Sequence, residues 1–208
     1  MNHKHVILLG PPACGKGTQA KKLAAHLGVP CLGTGHLLRA EIEKGSAVGL
    51  EAKSFIDAGE YVPDETILKM VGEWLDQHKD GWIMDGFPRT LPQAKELQKL
   101  APEAKVIALN VPREDLEQRI IKRRECTVCG ATVAVDDLTQ TICPECGADA
   151  LVSRADDALD SFKVRYENYE ELTIPLYDYY TGLGPVDQID GTQSPDKVYE
   201  QVINAVTK

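Results

Sequence analysis

The sequence predicts an α/β protein built on a central parallel sheet with helices on both faces. Three observations carry this. Continuous apolar runs recur along the chain, at residues 5–10, 81–85, 105–111 and 186–190. Helical patterns that stop at glycine lie between them, such as Lys16–Leu27 before Gly28 and His36–Lys44 before Gly45. The first run, Val6-Ile7-Leu8-Leu9, leads straight into a glycine-rich loop that opens a helix. Strands that are apolar on both sides belong in a covered sheet, and strands joined through helices run parallel. Ligands of such sheets bind beyond the strand C-termini.

The loop reads Gly10-Pro11-Pro12-Ala13-Cys14-Gly15-Lys16-Gly17-Thr18. Its glycines let backbone N–H groups turn toward an anion, and the helix N-terminus adds its positive end. Lys16 supplies a point charge for the outer phosphates of a nucleotide. A strand, Gly-x4-Gly-Lys and a helix in this order form a P-loop, so a nucleoside triphosphate is the first ligand to consider. The residue after the lysine is Gly17, and the hydroxyl arrives one place later at Thr18. Ala13 is compatible with the loop only if its backbone dihedrals suit an L-residue.

Further along, Pro63-Asp64-Glu65 opens a helix running to about His78, with its acids at the positive end. A long helical segment spans Asp156 to Tyr180, and Pro175 is expected to kink or end it. Ser194-Pro195-Asp196 starts the last helix.

With 208 residues the chain fits one sizeable domain carrying small insertions. A net charge of −9 argues against a general nucleic-acid or anionic-membrane surface, so phosphate binding must come from local Arg and Lys clusters. The N-terminus enters a strand at once, which predicts neither a signal peptide nor a membrane span. Six cysteines in such a chain fit a cytoplasmic protein using metal or free thiols.

Four of those cysteines form Cys126-Thr-Val-Cys129-Gly130 and Cys143-Pro-Glu-Cys146-Gly147. Two Cys-x2-Cys-Gly knuckles can close four thiolates around a tetrahedral ion, and Zn2+ suits that set. Iron in the same sulfur cage is the alternative. With no histidine or open position among the ligands, the ion's role is structural. Cys14 and Cys31 stand alone, and both read as small space-filling residues.

A phosphoryl-transfer enzyme must hold two polyanions together, and arginine forks suit the task. The candidates are Arg39, Arg89, Arg119, Arg123, Arg154 and Arg165. Asp85 ends the strand Trp82-Ile83-Met84, where a carboxylate can reach Mg2+ through water.

In order, the chain carries Gly10-Pro-Pro-Ala-Cys-Gly-Lys-Gly-Thr-Gln19, Thr34-Gly-His-Leu-Leu-Arg39, Gly59-Glu-Tyr-Val-Pro-Asp-Glu65, Asp85-Gly-Phe-Pro-Arg-Thr90, Arg119-x3-Arg123 and Arg154-x-Asp-Asp157. Together these resemble the adenylate kinases of the long-lid, zinc-carrying bacterial type, over nearly the whole chain. The resemblance implies a P-loop NTPase core (1–32, 63–124 and 155–208), a helical nucleotide-monophosphate flap (33–62) and a zinc-binding lid (125–154). It implies transfer of a phosphoryl group from MgATP to AMP, giving two ADP, by a monomer. The ATP phosphates would lie on Ala13, Cys14, Gly15, Lys16, Gly17 and Thr18. Arg119 would lie against the ATP base, with Thr132, Val133 and Gln193 nearby. AMP would touch Thr34, Arg39, the Glu60-Tyr61-Val62 backbone, Gly86, Phe87, Pro88, Arg89 and Gln93. Arg123, Arg154 and Arg165 would clamp the phosphates. His36 stands where the resembled family has aspartate. Competing readings are a kinase acting on UMP, CMP or GMP, and a P-loop module whose ribbon grips nucleic acid. Acidic text such as Val135-Asp136-Asp137-Leu138 weighs against the latter.

Overall fold

The computed structural model of the protein describes residues 3–207. A five-stranded sheet lies at its centre in the order β2-β3-β1-β4-β8, parallel at every pairing. The strands are β1 (His5–Leu9), β2 (Cys31–Gly33), β3 (Trp82–Asp85), β4 (Lys105–Asn110) and β8 (Val186–Asp190). Alternation along β1 explains why its text is apolar throughout. Val6 and Leu8 pack on one face with Leu23, Ile107 and Phe162, while Ile7 and Leu9 pack on the other with Met84, Leu97 and Ala108.

The covering helices are α1 (Lys16–Leu27), α2 (Thr34–Glu43), α3 (Ala47–Ala58), α4 (Asp64–Gln77), α5 (Leu91–Leu100), α6 (Arg113–Lys122), α7 (Leu159–Asn168), α8 (Pro175–Leu183) and α9 (Pro195–Thr207). Sequence signals set their ends. Gly28 closes α1 in the left-handed conformation, and the Ser46 hydroxyl caps α3 by accepting from the Gly49 N–H. Thr90 caps α5 the same way and donates to Asp64 in the first turn of α4, tying the two helices together.

Four apolar runs in the sequence become strands, and a fifth strand escapes that reading. It is β2, only three residues long, which pairs with β3 through Cys31, Leu32 and Gly33. The cysteine insert likewise carries a second sheet, β6 (Thr132–Ala134), β5 (Arg123–Cys126) and β7 (Leu151–Val152), antiparallel throughout.

The expected Asp156–Tyr180 helix is three pieces. A 3-10 turn at Ala155–Asp157 precedes α7, and a π turn at Tyr169–Thr173 separates α7 from α8. Pro175 has no N–H to continue the α ladder, and the Ile174 N–H reaches back five residues to the Tyr169 carbonyl at 2.9 Å. Among the described residues no helix is long and apolar enough to cross a membrane.

Candidate active site

A cleft of about 1070 Å3 opens beyond the C-terminal ends of β1, β2 and β3. Every residue expected at the site lines it except Phe87, Cys126, Cys143 and Cys146. Phe87 is 1% exposed and packs in the core against the α4–α5 side of the sheet.

The floor is the phosphate loop. Gly10 sits at φ 147°, and a Cβ there would meet the Leu109 carbonyl at 2.7 Å and Cys14 Sγ at 2.8 Å, so only glycine passes. Ala13 has φ 65°, the one non-glycine residue in the left-handed region among the described residues. Such a conformation costs an L-residue about 1–2 kcal/mol, so the loop stores local strain. The Lys16 ammonium donates to the carbonyls of Gly10 and Pro11, both at 2.7 Å, and stays centred under the loop. Asp85 stands beside it at the end of β3. A Cβ at Gly17 would lie 3.1 Å from Asp85 Oδ2, so glycine after the lysine leaves room for that carboxylate.

Arg119 staples the floor to the turn after β8, donating to the carbonyls of Cys14 at 3.3 Å and Gly191 at 2.8 Å. Gln193, on the same turn, donates to Asp190 at 3.3 Å.

One wall comes from α2, the turn after α3, and the Gly86–Gln93 segment. Thr34 Oγ1 donates to the Gly86 carbonyl at 2.8 Å, and Arg89 Nε donates to the same oxygen at 2.8 Å. The Arg89 guanidinium lies 5.0 Å from the centre of the Tyr61 ring, a cation–π arrangement. Gln93 accepts from the Arg89 N–H at 2.8 Å and donates to Asp64 at 2.7 Å. Each end of its amide keeps one further lone pair or proton.

The opposite wall carries three arginines, each beside a carboxylate. Arg123 pairs with Asp157 through both Nε and NH2, Arg165 with Asp156 at 2.8 Å, and Arg154 with Glu125 and with Thr132 Oγ1 at 2.9 Å. Glu125 also faces α2, with His36 Nδ1 at 3.3 Å and Arg39 NH2 at 4.0 Å, so β5 and α2 meet across the cleft. Lys21 on α1 donates to the Gly130 carbonyl of the first knuckle at 2.5 Å.

Burial and charge act in opposite directions here. Burial pulls Arg165 down to about 10 while Asp156 resists, so the guanidinium is charged at neutral pH. Burial works against Arg123 too, yet the Asp157 carboxylate raises it above the ordinary arginine value. Burial alone would raise Asp156, but Arg165, Arg39 and Arg123 hold it below the usual aspartate range. His36 is lowered by burial and by Arg39, against the pull of Glu125.

The four knuckle cysteines come together away from the floor. Their sulfurs all lie within 4.8 Å of one another, with Cys126–Cys146 at 3.6 Å and Cys129–Cys143 at 3.8 Å. Disulfides require about 2.05 Å. A tetrahedron with metal–sulfur arms of about 2.3 Å has edges near 3.8 Å, so the cage fits an ion of zinc's size.

Sequence reading missed Lys21, Tyr169 and Thr173, which line the cleft, and Glu125, which pairs with the cleft arginine Arg154. Glu125 adjoins a knuckle cysteine, which was its only flag. The others give no local signal.

A P-loop at the end of β1, on a sheet of this order, with arginines facing it across one cleft, defines a P-loop NTPase that handles phosphorylated nucleotides. The family model described as adenylate kinase matches residues 8–184. Curated adenylate kinases are similar over nearly the whole length. The protein from Carboxydothermus hydrogenoformans is 40% identical over 98% of this chain and 99% of its own. That from Caldanaerobacter subterraneus is 41% identical over 97% and 95%, and that from Archaeoglobus fulgidus 39% identical over 95% of each chain. The chain belongs to the adenylate kinase family, and so to the nucleoside monophosphate kinases, enzymes that pass a phosphoryl group between nucleotides.

Proposed function

We propose that this enzyme takes a phosphoryl group from MgATP and gives it to AMP, reversibly, yielding two ADP. The observation that carries the reading is the convergence of Lys16, Arg39, Arg89, Arg123, Arg154 and Arg165 on one cleft of about 1070 Å3. We assign the donor to the floor, with its phosphates on Ala13–Thr18 and its base between Arg119 and Thr132, Val133 and Gln193. AMP takes the wall of Thr34, Arg39, Glu60–Val62 and Gly86–Gln93. The free proton and lone pair of the Gln93 amide can read the adenine edge, and Arg89 grips the AMP phosphate. In this reading the chain divides into a core, a flap at 33–62 and a lid at 125–154.

An AMP phosphate oxygen is already a nucleophile, so no residue need remove a proton from it. It attacks the γ-phosphorus, and the bond to the β–γ bridging oxygen breaks with its electrons going to departing ADP. Lys16 and the arginines oppose the charge on the moving group, held ready by backbone carbonyls and carboxylates. Asp85 would hold the Mg2+ that accompanies ATP, and that ion would supply positive charge against the phosphates. Closing the lid over the flap excludes water, which would otherwise accept the phosphoryl group. Zn2+ in the Cys126, Cys129, Cys143 and Cys146 cage would fix the lid's fold and take no part in the chemistry. We further read the protein as a cytoplasmic monomer.

The test is a coupled assay for ADP with AMP, UMP, CMP and GMP as acceptors, alongside Arg89→Ala. AMP should be preferred, and Arg89→Ala should lower kcat/KM for AMP roughly 100-fold, the size of a lost charge-assisted phosphate contact, with ATP affinity within about threefold. A pyrimidine preference, or equal loss of both nucleotides, would sink the assignment.

A further inference from the structure

Arg89 is held by more than its neighbours in the sequence. Its N–H is fixed by Gln93, its Nε by Gly86 and its guanidinium by the Tyr61 ring. The remaining backbone group, its carbonyl, accepts from Thr173 Oγ1 at 2.8 Å. Thr173 lies 84 residues away, at the end of the π turn between α7 and α8, and is 4% exposed.

Three features make this contact more than packing. A helical threonine ordinarily turns its hydroxyl to a carbonyl one turn back. Here the Thr173 hydroxyl instead leaves its own helix and reaches the Arg89 carbonyl, from a turn widened to an Ile174 N–H to Tyr169 carbonyl bond. Next, Tyr61 Oη lies 3.1 Å from Thr173 Oγ1. A hydroxyl has a single proton, and that of Thr173 goes to Arg89, so Tyr61 is the donor to Thr173. The chain Tyr61 O–H to Thr173 O–H to Arg89 C=O polarises along its length. Lastly, Tyr61 enters twice, its hydroxyl through Thr173 on the Arg89 backbone and its ring on the Arg89 guanidinium. Both ends of the arginine are thereby set by one hydroxyl pair and one ring. The turn that aims Thr173 exists where Pro175 interrupts the α ladder, and wide turns of this kind are frequent at functional sites.

We infer that Thr173 is a positioning residue for the reaction: it holds the Arg89 backbone so that the guanidinium meets the phosphate of the acceptor nucleotide. The inference rests on the reading of Arg89 as the acceptor-phosphate arginine. It makes the π turn part of the acceptor site, although no residue of that turn need touch substrate.

The experiment compares Thr173→Val, which keeps shape and loses the hydroxyl, with Thr173→Ser, which keeps the hydroxyl. KM and kcat are measured separately for AMP and ATP, with melting temperature as the folding control. Thr173→Val should raise KM for AMP about tenfold, the scale of leaving a carbonyl unpartnered, with KM for ATP within about twofold, and Thr173→Ser should return to within about threefold of the parent. Tyr61→Phe keeps the ring and removes the outer donor. It should raise KM for AMP by a smaller factor, and add little on top of Thr173→Val because both act through one carbonyl. Should Thr173→Val fold poorly, Tyr61→Phe decides by the same split. An unchanged KM for AMP, equal losses for both nucleotides, or failure of serine to rescue would overturn the proposal. If Arg89→Ala spares AMP turnover, the acceptor-site reading falls and this one with it; if Arg89→Ala abolishes it while Thr173→Val does nothing, only the role of Thr173 falls.

Discussion

The phosphate loop and the cysteine insert, the lid of the proposed function, are both built around glycine turns, yet different physics orders them. The loop leaves a strand whose residues Val6–Leu9 are all at most 2% exposed, inside a sheet covered on both faces. The lid has a buried cluster of only Cys126, Val135, Cys143 and Leu151, and two of those are ligands of the sulfur cage. Val128, Leu138 and Ile142 stand out in solvent, half or more exposed. A segment this short gains little from burial to set against its chain entropy, and in the function proposed above ligation of an ion by the four sulfurs replaces a core. The floor carries strain, as at Ala13, on a fully packed sheet, whereas the cysteine insert has no comparable core beneath it.

That contrast can be broken experimentally. Ile107→Ala removes a fully buried side chain beside β1. It should cost about 2–5 kcal/mol and lower the melting temperature by roughly 10 °C in calorimetry, as one cooperative transition. A loss smaller than that of a lid cysteine would reverse the ranking of the two regions.

Cys143→Ser should abolish metal retention, measured by elemental analysis, and lower the melting temperature by about 5 °C, with a chelator reproducing the shift in the parent. Activity per folded molecule in the cold should stay within about threefold. Full loss of cold activity with unchanged stability would mean that the cage acts in the chemistry.

Ala13→Gly sharpens the comparison by relaxing the floor's one strained residue. Relief of the left-handed conformation outweighs glycine's extra unfolded-state entropy by about 0.5 kcal/mol, so the melting temperature should rise by about 1–2 °C. A fall would show that Ala13 is unstrained.

The phosphate loop and the knuckles were readable because their geometry is local: glycine positions set loop dihedrals, and cysteine spacing sets the cage. β2 was not, because three residues display no period, and its pairing with β3 decides that it is a strand. Pro175 announced a break, but whether the helix would kink, stop or widen depended on which carbonyl the Ile174 N–H could reach.

By itself the sequence determined the α/β class, the loop and the paired cysteine knuckles, since each is written in residue type and short spacing. Only the tertiary structure decided which carboxylate sits beside which arginine, that Glu125 faces both Arg154 and α2, and that Thr173 holds Arg89. Those contacts join residues brought together by sheet order and helix packing, and no local pattern encodes a distance between positions so far apart along the chain.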